Sequence, residues 1–113
     1  MNSLLKRHCT ALPKGTPALD PAATKKLLAE VQPEWTIPDG GQELVREFRF
    51  PDFYRTMSFV NAVAHIANVE DHHPDLEIGY GRVRIRYATH SVGGLSDNDF
   101  ICAAKADALV EQG

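Results

Sequence analysis

The stretch Gly81-Arg82-Val83-Arg84-Ile85-Arg86-Tyr87-Ala88-Thr89-His90 alternates cationic and apolar side chains from Arg82 to Tyr87. Successive side chains of a strand point to opposite faces, so Val83, Ile85 and Tyr87 share one face and Arg82, Arg84 and Arg86 the other. Such a strand belongs to a sheet with one packed face and one wet face. If the alternation continues through Thr89, His90 lies on the arginine side. It then stands at a strand end, where a rigid scaffold presents functional groups to a ligand.

Reading towards the N-terminus, Leu76, Ile78 and Tyr80 make a short strand, loosened by Gly79 and Gly81. Pro51-Asp52 opens a central helix whose residues Phe53, Met57, Val60, Ala64 and Ala67 recur at three-four spacing. Ser58, Asn61, His65 and Asn68 form a polar stripe on the same helix, pointing towards His72. This stripe is either a solvated face or the wall of a polar pocket. Phe59, Val63 and Ile66 flank it, so the helix packs on two sides, as in an oligomer. Glu43 to Phe50 has strand period with mixed faces, Asp39-Gly40-Gly41 is a turn, and Glu34 to Ile37 is a short strand. Asp20 caps a first helix that starts at Pro21, carries Leu27, Leu28 and Val31, and is closed by Pro33.

Towards the C-terminus, Gly93-Gly94 breaks the chain. Ser96 then caps a last helix, with Asp99 at the third helical position as in a capping box. Phe100, Ile101, Ala104, Ala108 and Leu109 supply its apolar side. The order is α-β-β-α-β-β-α. It predicts an α+β two-layer sandwich, a mostly antiparallel four-stranded sheet with helices on one face.

A chain of 113 residues fits a single domain, 1–113, with residues 1–18 as an N-terminal arm rich in Lys6, Arg7 and Lys14. An apolar fraction of 43% and a charged fraction of 24% are those of a globular protein. The net charge of -3 speaks against direct nucleic-acid binding, so the three arginines read as a solvated sheet face. No apolar run approaches the roughly 20 residues that a membrane helix needs. Cys9 and Cys102 make neither a disulfide framework nor a paired-cysteine metal motif, and a cytoplasmic location follows as the expectation.

Four of the five histidines lie between positions 65 and 90. Pro74 disfavours helical geometry at His73, which places His72 and His73 on a turn beyond the central helix. Histidine has an unperturbed pKa of about 6.5 and can give and take protons near neutrality. A trio around one pocket suits a reaction that removes one proton and delivers another, and Asp71 could fix a histidine tautomer. These residues fit two other roles as well. His72, His73, His90 and Asp71 are legitimate zinc ligands, although no HExxH or HxH spacing is present. They could also be surface histidines without a role.

Trp35, Phe48-Arg49-Phe50-Pro51-Asp52-Phe53, Asp71-His72-His73-Pro74-Asp75 and Tyr80-Gly81-Arg82-Val83 form a recognisable pattern. Tyr87-Ala88-Thr89-His90 and Gly93-Gly94-Leu95-Ser96 with Asp99 complete it. The sequence resembles the pterin-4a-carbinolamine dehydratase family from about Leu19 to Val110. The resemblance implies a dehydratase that converts 4a-hydroxytetrahydropterin to quinonoid dihydropterin and recycles the cofactor of aromatic amino acid hydroxylases. It implies no cofactor and no metal, the pterin being the substrate. It also implies a homodimer or homotetramer, and some relatives take a transcription factor or another protein as partner. Carried over by position, His72 and His90 resemble the acid/base pair and His73 a substrate-binding histidine. Asn68, Asp71, Pro74, Ala88, Thr89 and Ser91 would line the pterin pocket. Asn68 departs from the glutamate found in several members, and this shifts the expected proton transfers onto the histidines.

Overall fold

Aspartates start two of the three helices by the same device. The Asp20 carboxylate accepts from the Ala23 amide and that of Asp52 from the Arg55 amide, each at 2.8 Å. Each satisfies an amide that the first helical turn leaves without a partner. In the computed structural model, which describes residues 3–111, these aspartates begin α1 (Pro21–Leu28) and α2 (Phe53–Glu70). The third helix, α3 (Asp97–Glu111), opens on the expected capping box. The Ser96 amide donates to Asp99 at 3.0 Å, and the Asn98 amide donates to the Ser96 hydroxyl at 3.2 Å.

The strands are β1 (Leu44–Arg49), β2 (Asp75–Ile78) and β3 (Arg82–Tyr87), all antiparallel in the order β1-β3-β2. Among the described residues the sheet therefore has three strands where four were expected. Residues 34–37 contribute one bridge, in which Thr36 and Val45 exchange both backbone hydrogen bonds at 2.8 and 2.9 Å. Pro33 and Pro38 bracket this segment, and proline has no amide to extend a ladder. At the other end of β1, the Phe50 amide donates to the Gly81 carbonyl at 2.9 Å, and a β-carbon on Gly81 would stand 2.6 Å from the Phe50 oxygen. Only glycine allows that approach.

Val83, Ile85 and Tyr87 have no exposure at all, while Arg82, Arg84 and Arg86 are half-buried on the opposite face. The buried face of α2 is Thr56, Phe59, Val60, Val63, Ala67 and Glu70. It is rotated from the expected stripe, and Phe53 and Ala64 are exposed. The mixed pattern of β1 also has a physical cause. Arg46 turns inward between Leu44 and Phe48, lies 4.1 Å over the Phe48 ring and reaches Asp107 at 2.6 Å. Buried Asp107 also accepts from the Trp35 indole at 2.8 Å and the Gln32 amide at 3.0 Å.

The N-terminal arm covers the outer side of α3. Leu4 is buried in the core, Arg7 pairs with Asp97 at 2.7 Å, and Lys105 donates to the Leu5 carbonyl at 3.0 Å. Thr10 and Asn98 bond reciprocally, backbone to side chain. The arm is also tied to α2 through the Glu70 carboxylate, which accepts from the Cys9 amide at 2.7 Å and lies 2.8 Å from the His8 Nδ1. Burial by itself would raise the Glu70 carboxyl, but the Cys9 amide, His8 and Lys105 outweigh it and hold it below its ordinary value of 4.5. A lowered acid contributes stability that is fully present above that ordinary value and is lost as the pH falls through the folded one. The Cys9 amide proton resonance is expected to shift with a midpoint below 4.5 and to stop titrating in Glu70→Gln. A midpoint at or above the ordinary value would contradict this staple.

Candidate active site

The exit from α2 sets the position of the histidine pair. Asp71 adopts the left-handed conformation (φ 52°, ψ 44°), and the amides of Asp71 and His72 both return to the Ala67 carbonyl. Aspartate is among the few side chains that visit this region readily. The turn sends His72 inward, where its side chain is 12% exposed, and leaves His73 exposed. Pro74, half-buried, then leads into β2.

His72 Nε2 lies 2.6 Å from Asp99 Oδ1, and Asp99 is fully buried on the first turn of α3. A carboxylate only accepts, so Nε2 carries the hydrogen and Nδ1 is left as the acceptor. Asp99 Oδ2 accepts from the Thr89 hydroxyl at 2.8 Å and from the Ser96 amide. Thr89 spends its one hydrogen on Asp99. The 2.8 Å contact between the Thr89 and Ser96 hydroxyls is therefore donated by Ser96. The His72 ring stacks on Tyr87 at 13°, with centroids 6.1 Å apart. Burial, followed by the neighbouring thiols and acids, drives the Tyr87 phenol well above its ordinary range and keeps it neutral.

His90 begins a 3-10 turn, His90–Val92, that follows Thr89 directly. Gly93 closes it at φ 70°, donating its amide to the His90 carbonyl at 3.1 Å; a side chain there would strain the turn. Parity holds as expected: Thr89 faces the core and His90 is exposed. His90 borders a cavity of about 180 Å³ together with Ala88, Thr89, Gly94, Gln42 and Glu43. A larger apolar groove of about 440 Å³ lies between α2 and the end of α3, but no carboxylate or imidazole lines it.

The structure thus joins His72 to Thr89 through Asp99 and sets His90 and Ala88 on either side of Thr89. Asn68 is exposed on the last turn of α2, and Ser91 is exposed on the 3-10 turn. Asp71 is also exposed, and the carboxylate that fixes a histidine is Asp99 in its place. In the sequence Asp99 read as a helix cap, which accounts for one of its two oxygens. Nothing in its spacing pointed to a histidine 27 residues away. Among the described residues no three His, Cys, Asp or Glu side chains converge as metal ligands.

The sequence model of the family described as "Pterin 4 alpha carbinolamine dehydratase" matches residues 17–109, which include every one of these groups. The chain belongs to this family. It is 49% identical over 111 residues to a protein of Xylella fastidiosa (strain 9a5c), covering 98% of this chain and 95% of that one. It is 52% identical over 110 residues to one of Xanthomonas campestris pv. campestris (strain B100), covering 97% and 92%. Both bear the provisional name pterin-4-alpha-carbinolamine dehydratase. Among solved structures, a transcriptional coactivator/pterin dehydratase from Brucella melitensis superposes with a TM-score of 0.77 at 32% identity, covering 81% of this chain and 97% of that one. A pterin dehydratase-like protein described as a RuBisCO assembly factor in the alpha-carboxysome gives 0.58 at 25% identity, covering 67% and 88%.

Asp99→Ala would leave His72 Nε2, the Thr89 hydroxyl and the Ser96 amide without their acceptor. It is expected to cost about 3 kcal/mol in urea unfolding. Nitrogen NMR of the neutral His72 ring in the wild-type protein should find the proton on Nε2, with Asp99→Asn giving a mixture of tautomers. A wild-type ring protonated on Nδ1 alone would contradict the geometry.

Proposed function

We propose that this protein dehydrates 4a-hydroxytetrahydropterins to quinonoid dihydropterins, returning to use the cofactor of aromatic amino acid hydroxylases. The 2.6 Å contact that fixes His72 on buried Asp99, in a chain of this family, carries the proposal. In the reaction N5 loses its proton, the C4a–oxygen bond breaks with protonation of the hydroxyl, and C4a=N5 forms as water leaves. No electron is gained or lost, so histidines suffice as the chemical groups. His72 Nδ1 takes the N5 proton, and the imidazolium that results is stabilised by the Asp99 charge behind it. Exposed His90 exchanges protons with solvent and delivers one to the departing hydroxyl. His73 holds the pterin ring, with Asn68, Asp71, Pro74, Ala88, Thr89 and Ser91 around it. Asn68 can hydrogen-bond the ring but offers it no charge.

The test follows the ultraviolet absorbance of 4a-hydroxytetrahydropterin, generated in situ by a pterin-dependent hydroxylase, with EDTA present. Wild-type protein should accelerate its decay, and His72→Ala or His90→Ala should each lose about 100-fold or more of kcat. Equal rates with and without the protein would reject the activity. Wild-type rates in both variants would reject the residue roles.

We also propose that the chain works as a homodimer or homotetramer in the cytoplasm, where Cys9 and Cys102 rest as free thiols. Support comes from its exposed aromatics. The rings of Phe53 and Tyr80 lie 6.3 Å apart at 51% and 70% exposure, and neighbouring Tyr54 is 79% exposed. The same surface could receive another protein, a role that the names of the two solved neighbours give to those proteins. Light scattering at micromolar concentration should return two or four times the chain mass, with a shift towards monomer in Tyr80→Glu. A wild-type monomer would reject the assembly.

A further inference from the structure

Cys9 and Cys102 are 93 positions apart in sequence, yet their sulfurs lie 3.6 Å from each other. Cys102 is fully buried on α3, whereas Cys9 is half-buried on the arm. The contact is held from both sides. The Cys9 amide donates to Glu70, Thr10 and Asn98 bond reciprocally, and the Cys9 thiol approaches the Asn98 carbonyl at 3.6 Å, one helical turn before Cys102. No third ligand joins the two sulfurs among the described residues, so the pair is not half of a metal site.

We propose that Cys9 and Cys102 form an intramolecular thiol–disulfide site that takes low-molecular-weight disulfides of the glutathione type as oxidant and locks the N-terminal arm onto α3. The sulfurs have to close from 3.6 Å to about 2.05 Å. That movement falls on the arm, an exposed segment, and not on the packed helix. The reaction starts at the accessible residue. The Cys9 thiol gives up its proton and its sulfur attacks one sulfur of the oxidant, forming a mixed disulfide and releasing one thiolate, which takes up a proton. Cys102 then loses its proton and attacks the Cys9 sulfur, expelling the second thiolate. The oxidant is reduced to two thiols, and the two cysteines are oxidised to one disulfide.

Before oxidation Cys102 is kept protonated. The adjacent Cys9 sulfur is the leading cause and burial the next. The bond also restricts the unfolded chain over a long loop, so oxidation stabilises the fold.

The test treats the full-length protein with glutathione disulfide, blocks remaining thiols and maps peptides by mass spectrometry. The expected product is a monomer lighter by two hydrogens, carrying a Cys9–Cys102 linked peptide, with no thiol left to block. Its Tm should rise by on the order of 10 °C, a change that dithiothreitol reverses. Cys9→Ser, at the half-buried position, should fold and show no rise on oxidation. A persistent glutathione adduct on Cys9, a dimer linked between chains, or a Cys9–Cys102 bond that forms only in denaturant would each overturn the proposal.

Discussion

A carboxylate withdrawn from water has to be supplied with donors by the protein itself, or its burial costs several kcal/mol. Asp99 meets this demand with three partners drawn from three places: the turn after α2, the end of β3 and the loop before α3. The first two of these places adjoin His72, His73 and His90. The orientation of His72 and the position of Thr89, and with it His90, therefore follow from satisfying one buried acid. The same contact that builds the junction also selects the tautomer, so stability and ring orientation share a single interaction.

Two other buried acids work the same way elsewhere. Asp107 gathers Trp35, the Gln32 amide and Arg46, fixing the segment before β1 and turning the Arg46 side chain inward. Glu70 gathers the arm at the last residue of α2. Each joins segments more than 60 residues apart, which the short local turns of this chain cannot do. Apolar side chains of β1, α2, β3 and α3 form the core together, and the acids decide which segments meet over it.

What the sequence disclosed followed the reach of its patterns. The alternation from Arg82 to Tyr87 gave the packed and open faces, and Asp20, Asp52 and Ser96 gave the helix starts, because strand parity and capping act over a few residues. The fourth strand was over-read. Residues 34–37 carry strand-like types, but the prolines on both sides leave room for a single bridge. The inward face of α2 was misplaced because Phe53 and Ala64 fit an apolar period while Thr56 and Glu70, both buried, do not. In the site, His72, His73 and His90 were visible as residues at element ends. Asp99 was visible only as a cap, since a contact from one end of α2 to the start of α3 leaves no local trace.

The arm brings one more consequence, which concerns the order in which the protein is made. Leu4 lies in the core against the final helix, and the Leu5 carbonyl accepts from Lys105, 100 positions later. The arm therefore finds its place only after α3 has been synthesised. Until then β3 lacks the cover of α3, and Leu4 of the arm lacks its place in the core. Contacts of such long sequence separation slow folding and extend that exposed interval. Completion of this small domain is thus tied to synthesis of α3, and a product truncated before that helix would keep its hydrophobic surface open.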